Sequence, residues 1–131
     1  MNKALQFLKE NKTFYLATVE KDQPRVRPFG AVAEFEGKLY ICTNNTKAVF
    51  KQIRENDKVE ISACGANGTW IRLSAKAVPD SRREAKQAML EQNPSLSRMY
   101  KLDDGIFEVL YLKDAQASIC SFAAAPDTFA F

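Results

Sequence analysis

Roughly six or seven short runs of β-forming residues, set apart by turn signals and interrupted by only a few helical stretches, constrain this chain most. So many short strands leave many open edges, and the economical way to cover them is an antiparallel sheet curled into a closed or nearly closed barrel. The helices interrupt the strands instead of alternating with them, which argues against a parallel doubly wound sheet. The expected fold class is mainly β (α+β): an antiparallel barrel of about six to seven strands, with short flanking helices.

Along the chain, residues 2–11 have helical periodicity, and residues 13–19 (Thr-Phe-Tyr-Leu-Ala-Thr-Val) are rich in β-formers. After the turn Lys21-Asp22-Gln23-Pro24, one strand is expected through residues 25–33, with Arg25, Arg27, Phe29, Ala31 and Ala33 on one face and Val26 and Val32 on the other. Glu36-Gly37 turns the chain, and residues 39–43 return as an antiparallel partner. A short helix over residues 46–55 follows, then strands over 58–64 and 69–78 joined by Gly65-Ala66-Asn67-Gly68. Ser81-Arg82-Arg83-Glu84 reads as a capping box opening a helix whose stripe is Ala85, Ala88 and Met89, and Asn93-Pro94 ends it. Residues 95–101 suit another short helix. Strands over 106–112 and 115–122 close the barrel, before a small-residue tail ending in Phe129 and Phe131, which either frays or covers something.

Length and composition suit one domain with its own core, residues 1–131. No apolar run resembles a signal peptide or spans a bilayer, so a cytoplasmic location and no membrane partner are expected. A net charge of +3, carried by dispersed basic residues, does not point to nucleic acid. Cys42, Cys64 and Cys120 are isolated in apolar runs without a CxxC pair, so buried inert thiols are expected and no metal site. The chain has no histidine, which removes Ser-His-Asp and Cys-His nucleophiles and imidazole acid–base chemistry. Whatever chemistry occurs then falls to a bound cofactor, and no catalytic side chain is nominated.

The candidate site is Pro24-Arg25-Val26-Arg27-Pro28-Phe29 together with Thr43-Asn44-Asn45-Thr46-Lys47. Two arginines two residues apart share a strand face; they are either solvated at an edge, which Pro24 and Pro28 would suit, or they clamp an anion. The Thr/Asn run is either a polar loop with an N-cap or a set of hydroxyl and amide donors. A lysine at the start of a helix opposes the macrodipole, which an anion seated at the N-terminus would explain. Trp70 and Arg72 share a face with Ser74 and Lys76; Trp70 either packs in a core or interface or walls a planar ligand.

The order Phe14-Tyr15-Leu16-Ala17-Thr18-Val19, then Pro24 to Phe29, then Leu39-Tyr40-Ile41-Cys42-Thr43 with Lys47 resembles the pyridoxamine 5′-phosphate oxidase-like FMN-binding split-barrel proteins, from about residue 3 to residue 122. The resemblance implies a single split-barrel domain binding FMN at a homodimer interface. It implies that Arg25, Val26, Arg27 and Pro28 run beside the ring, with an arginine reaching the phosphate. Thr43 and Asn44 would meet the ribityl-phosphate end, Lys47 would pair with the phosphate, and Trp70 and Arg72 would approach from the other subunit. The C-terminus lacks the basic, histidine-bearing extension of the full pyridoxamine phosphate oxidases, so the resemblance points to the small FMN-binding members instead of vitamin B6 oxidation. Haem-handling relatives on the same barrel often rely on histidine, which is missing here.

Two functions follow as expectations. One is a small FMN-dependent oxidoreductase, its electron donor a small molecule or a redox protein. The other is a flavin-binding or electron-transfer protein without an organic substrate, or a deazaflavin-binding relative on the same barrel. Turnover of a nicotinamide nucleotide separates the first from the second.

Overall fold

The computed structural model describes residues 2–131. Asn2 opens helix α1 (Lys3–Glu10) by accepting the Leu5 N–H at 2.7 Å, and Leu5 and Leu8 bury its apolar stripe. Strands β1 (Phe14–Glu20) and β2 (Gln23–Phe29) form one hairpin; β3 (Val32–Phe35) and β4 (Lys38–Asn44) form a second. The second turns on Glu36 (φ 51°) and Gly37 (φ 75°), both left-handed, the arrangement whose twist matches the flanking strands. Helix α2 (Ala48–Glu55), β5 (Lys58–Cys64), β6 (Trp70–Asp80), α3 (Arg83–Gln92), β7 (Phe107–Cys120) and β8 (Asp127–Ala130) complete the order.

All the pairings are antiparallel, and the sheet runs β2-β1-β5-β6-β7-β4-β3. Its two ends, β2 and β3, are consecutive in the chain but do not pair, so the barrel is split where Gly30 and Ala31 cross between them. β7 is the spine: it pairs β6 along its length, β4 through Phe107–Tyr111, and β8 through Gln116–Ile119. Alternation puts Leu16, Ile41, Ile61, Ile71 and Leu73 inside the barrel, all at 1% exposure or less. A second cluster, with Tyr40, Met89, Phe107 and Val109, seats α3 against β3, β4 and β7.

The mainly antiparallel α+β split barrel agrees with the sequence reading, and the details differ in instructive ways. The expected strand over 25–33 is two strands, since β2 ladders with β1 and β3 with β4. The expected strands over 106–112 and 115–122 are one, because β7 absorbs the break as a bulge: Asp114 adopts φ 52° and the register against β6 shifts between Ser74 and Lys76. The tail is not frayed; β8 takes the stretch of β7 edge that β4 leaves free, and Ala115 and Phe131 exchange two backbone hydrogen bonds of 2.9 Å. Among the described residues the sheet therefore has eight strands.

The capping box does not form. Asp80 accepts the Arg82 N–H at 3.1 Å, so Arg82 becomes the N-cap and Ser81 stays exposed. Ala88 is only half-buried. Residues 46 and 47 lie outside α2, whose N-cap is Lys47. Of the three thiols expected to be buried, Cys120 is buried and Cys42 partly so, while Cys64 is exposed, because its position on β5 points out of the barrel. No helix among the described residues is long and apolar enough to cross a membrane.

Candidate functional site

Register with Leu16 on β1 brings Arg27 to the inner face of the edge strand β2. Its guanidinium donates through Nη1 to the Leu16 carbonyl (3.1 Å) and Thr18 Oγ1 (2.8 Å), and through Nη2 to Gln52 Oε1 (2.7 Å). The Thr18 hydroxyl in turn donates to Gln52 Oε1 at 2.6 Å. Thr18 and Gln52 are 1% and 5% exposed, so this is a fixed, desolvated mount. Burial, and secondarily the charge of Arg25, lower the Arg27 pKa from its ordinary value; a guanidinium nonetheless stays charged.

The other wall comes from β4 and the start of α2. Asn44 Oδ1 accepts from the Thr46 N–H at 3.0 Å, and its Nδ2 donates to the Tyr100 hydroxyl at 2.9 Å. Asn45 Nδ2 donates to the Gly105 carbonyl and to Glu108, both at 2.9 Å. This bonding holds the loop and presents Lys47 in extended conformation (φ −85°) at the N-cap. Among the described residues, no carboxylate oxygen lies within ion-pair distance of Lys47.

Between these walls lies a cavity of about 370 Å³, lined by Arg27, Pro28, Thr43, Lys47, Met99 and Tyr100 among others. Among the described residues, two cations line it and no carboxylate does. Its volume falls in the range of small-molecule sites, about 300–1,000 Å³. Cys42 also lines it, but burial pushes that thiol up to about 12, against a smaller opposing pull from Lys47, so it is no nucleophile near neutrality. The arrangement can hold an anion; it offers no obvious side-chain acid or base.

The sequence candidates are thus distributed. Arg27, Pro28, Thr43 and Lys47 line one cavity, and Asn44 supports its rim. Arg25 lies outside it, paired to Glu20 at 3.0 Å beside a different groove with Lys51 and Glu55. Val26 is 67% exposed on the outer face. Trp70 and Arg72 lie on the outer face of β6, where Trp70 packs on the exposed Phe122 ring with centroids 5.0 Å apart. Sequence reasoning missed Thr18, Gln52 and Tyr100. Gln52 left one signal: a polar residue three positions after Val49, inside the apolar stripe of an amphipathic helix.

The family described as pyridoxamine 5′-phosphate oxidase matches residues 1–117. Among solved structures, a NimC/NimA family protein from Clostridium acetobutylicum has a TM-score of 0.95 at 57% identity, covering 98% of this chain and 91% of that one. General Stress Protein 26 from Bacillus anthracis has a TM-score of 0.77 at 17% identity, over 96% and 94% of the two chains. A pyridoxamine 5′-phosphate oxidase-related, FMN binding protein from Nostoc punctiforme has a TM-score of 0.67 at 16% identity, over 98% and 94%. The latter two likenesses concern the fold. Among curated proteins none matches the sequence.

Proposed function

The chain belongs to the pyridoxamine 5′-phosphate oxidase family, alongside the NimC/NimA protein of Clostridium acetobutylicum, and on that premise we propose that it is an FMN-binding oxidoreductase. The observation that carries this reading is the cavity with Arg27 and Lys47 in its walls, no carboxylate in its lining, and the first turn of α2 at one side. That donor set fits a phosphate: a guanidinium with free N–H groups, an ammonium, the Thr43 hydroxyl and a helix N-terminus. The apolar remainder, Pro28, Met99 and the Tyr100 ring, suits a flat aromatic body next to it.

Bound flavin would supply hydride or electron transfer, chemistry that no side chain in this lining provides. The protein's part is to anchor the phosphate end, orient the ring and keep water from one face of it. We further propose a homodimer in which Trp70 and Arg72 of the second copy complete the site. The support is their outward placement, with half-buried Trp70 against the exposed Phe122 ring as an aromatic surface.

The test is a visible absorption spectrum of the purified protein after adding FMN and removing the excess. Retained flavin bands that dithionite bleaches are expected; a colourless protein overturns the proposal. Oxidation of a nicotinamide nucleotide by the loaded protein would place it among enzymes, and its failure would favour an electron-transfer role.

A further inference from the structure

Arg27 differs from the other anchored arginines in the kind of acceptor that holds it. Arg25 is paired with Glu20, Arg82 with Asp80 and Glu36, and Arg83 with Asp103, so all three bring carboxylates that cancel their charge. The three acceptors on Arg27 are a backbone carbonyl, a hydroxyl and a carboxamide, all neutral. Those bonds use three of its five N–H groups and leave two for a ligand. Neutral acceptors give a half-buried cation an orientation without discharging it, which is what recognition of an anion needs.

Gln52 is the centre of this mount. Its Oε1 accepts from both Thr18 and Arg27. It also sits on the helix whose N-cap is Lys47, so one short helix grips the first cation and carries the second. We propose that Gln52 is a positioning residue for phosphate recognition: by holding Arg27 through a neutral oxygen it fixes the spacing of the two cations and preserves their combined charge. Gln52 acts through Arg27 and need not touch the ligand. The inference rests on the FMN reading and adds that the phosphate is read through this mount.

Gln52→Glu separates this from a merely structural role, because it keeps the acceptor oxygen and adds the missing negative charge. FMN and riboflavin, which lacks the phosphate, are the probes, titrated by flavin fluorescence. In the native protein FMN should bind more tightly than riboflavin. In Gln52→Glu, FMN affinity should fall about tenfold, one desolvated charge contact's worth, while riboflavin affinity and the melting temperature hold. Undiminished FMN affinity in the folded variant overturns the proposal, as does an equal loss for both flavins. A native protein that binds both flavins equally also overturns it but leaves flavin binding standing; one that binds neither overturns both. If Gln52→Glu does not fold, Thr18→Val should lower the preference for FMN over riboflavin and Thr18→Ser should restore it; an unchanged preference in Thr18→Val counts against the mount.

Discussion

The phenol of Tyr40 donates to the carboxylate of Asp80 across 2.7 Å, tying the middle of β4 to the last residue of β6. Both side chains are buried, and Asp80 also receives the Arg82 guanidinium and backbone N–H. Arg82 reaches on to Glu36 in the β3–β4 turn at 2.7 Å. One carboxylate thus fastens a hairpin, a strand end and the start of α3.

Tyr40→Phe should lower unfolding stability by about 1.5–3 kcal/mol, the usual worth of a hydrogen bond to a charged group. A urea melt measures it. The same change should leave flavin binding intact, since Tyr40 does not line the cavity.

Acid should loosen the same junction. Arg82 holds the Asp80 carboxyl down to about 2, with burial opposing and Tyr40 assisting. A carboxylate whose folded pKa lies below its ordinary value stabilises the fold above that ordinary value and ceases to as pH falls through the folded one. Stability should therefore decline between about pH 4 and pH 2. Glu36 and Asp104, also lowered, contribute in the same direction. Urea midpoints at stepped pH would show it, and Asp80→Asn should flatten part of the slope.

Arg27→Ala and Lys47→Ala should each weaken FMN by about 1.5–3 kcal/mol. Arg25→Ala should change it little, because Glu20 already pairs Arg25 outside the cavity. Titration of the three variants decides; full affinity in both Arg27→Ala and Lys47→Ala would sink the phosphate assignment.

In the folded protein, an aromatic disulfide reagent should label one thiol per chain quickly. Cys64 is exposed, Cys120 is buried and Cys42 is held protonated by burial. Cys64→Ser should abolish the fast phase. Rapid reaction at Cys42 would mean that the cavity opens further than its packing implies.

Sedimentation should find a dimer. Trp70→Ala should then weaken FMN by about 1–3 kcal/mol, the range for a lost aromatic stack. A monomer that binds flavin tightly would contradict the shared site.

Much of the barrel was legible because two-residue periodicity and turn chemistry are local signals. The turn at Gly37 and the run over Lys58–Cys64 needed no tertiary information. β8 was not legible: Asp127–Ala130 is short and sets Thr and Phe between Asp and Ala, both depleted in strands, and it is a strand because β7 offers an unpaired edge. The Arg82 cap depends on the burial of Asp80, which no local pattern announces. In the site, Arg27 and Lys47 were readable as cations placed against an apolar face and a helix start. Thr18 and Gln52 were not, since their meaning comes from the packing of α2 against β1.

The unpaired crossing at Gly30 and Ala31 borders the cavity. Both residues stand outside the two ladders, so their length and bulk can change without deleting a rung of the sheet. Cavity wall and scaffold are therefore separately adjustable: a relative could reshape this side of the pocket to admit a different guest while inheriting the barrel intact.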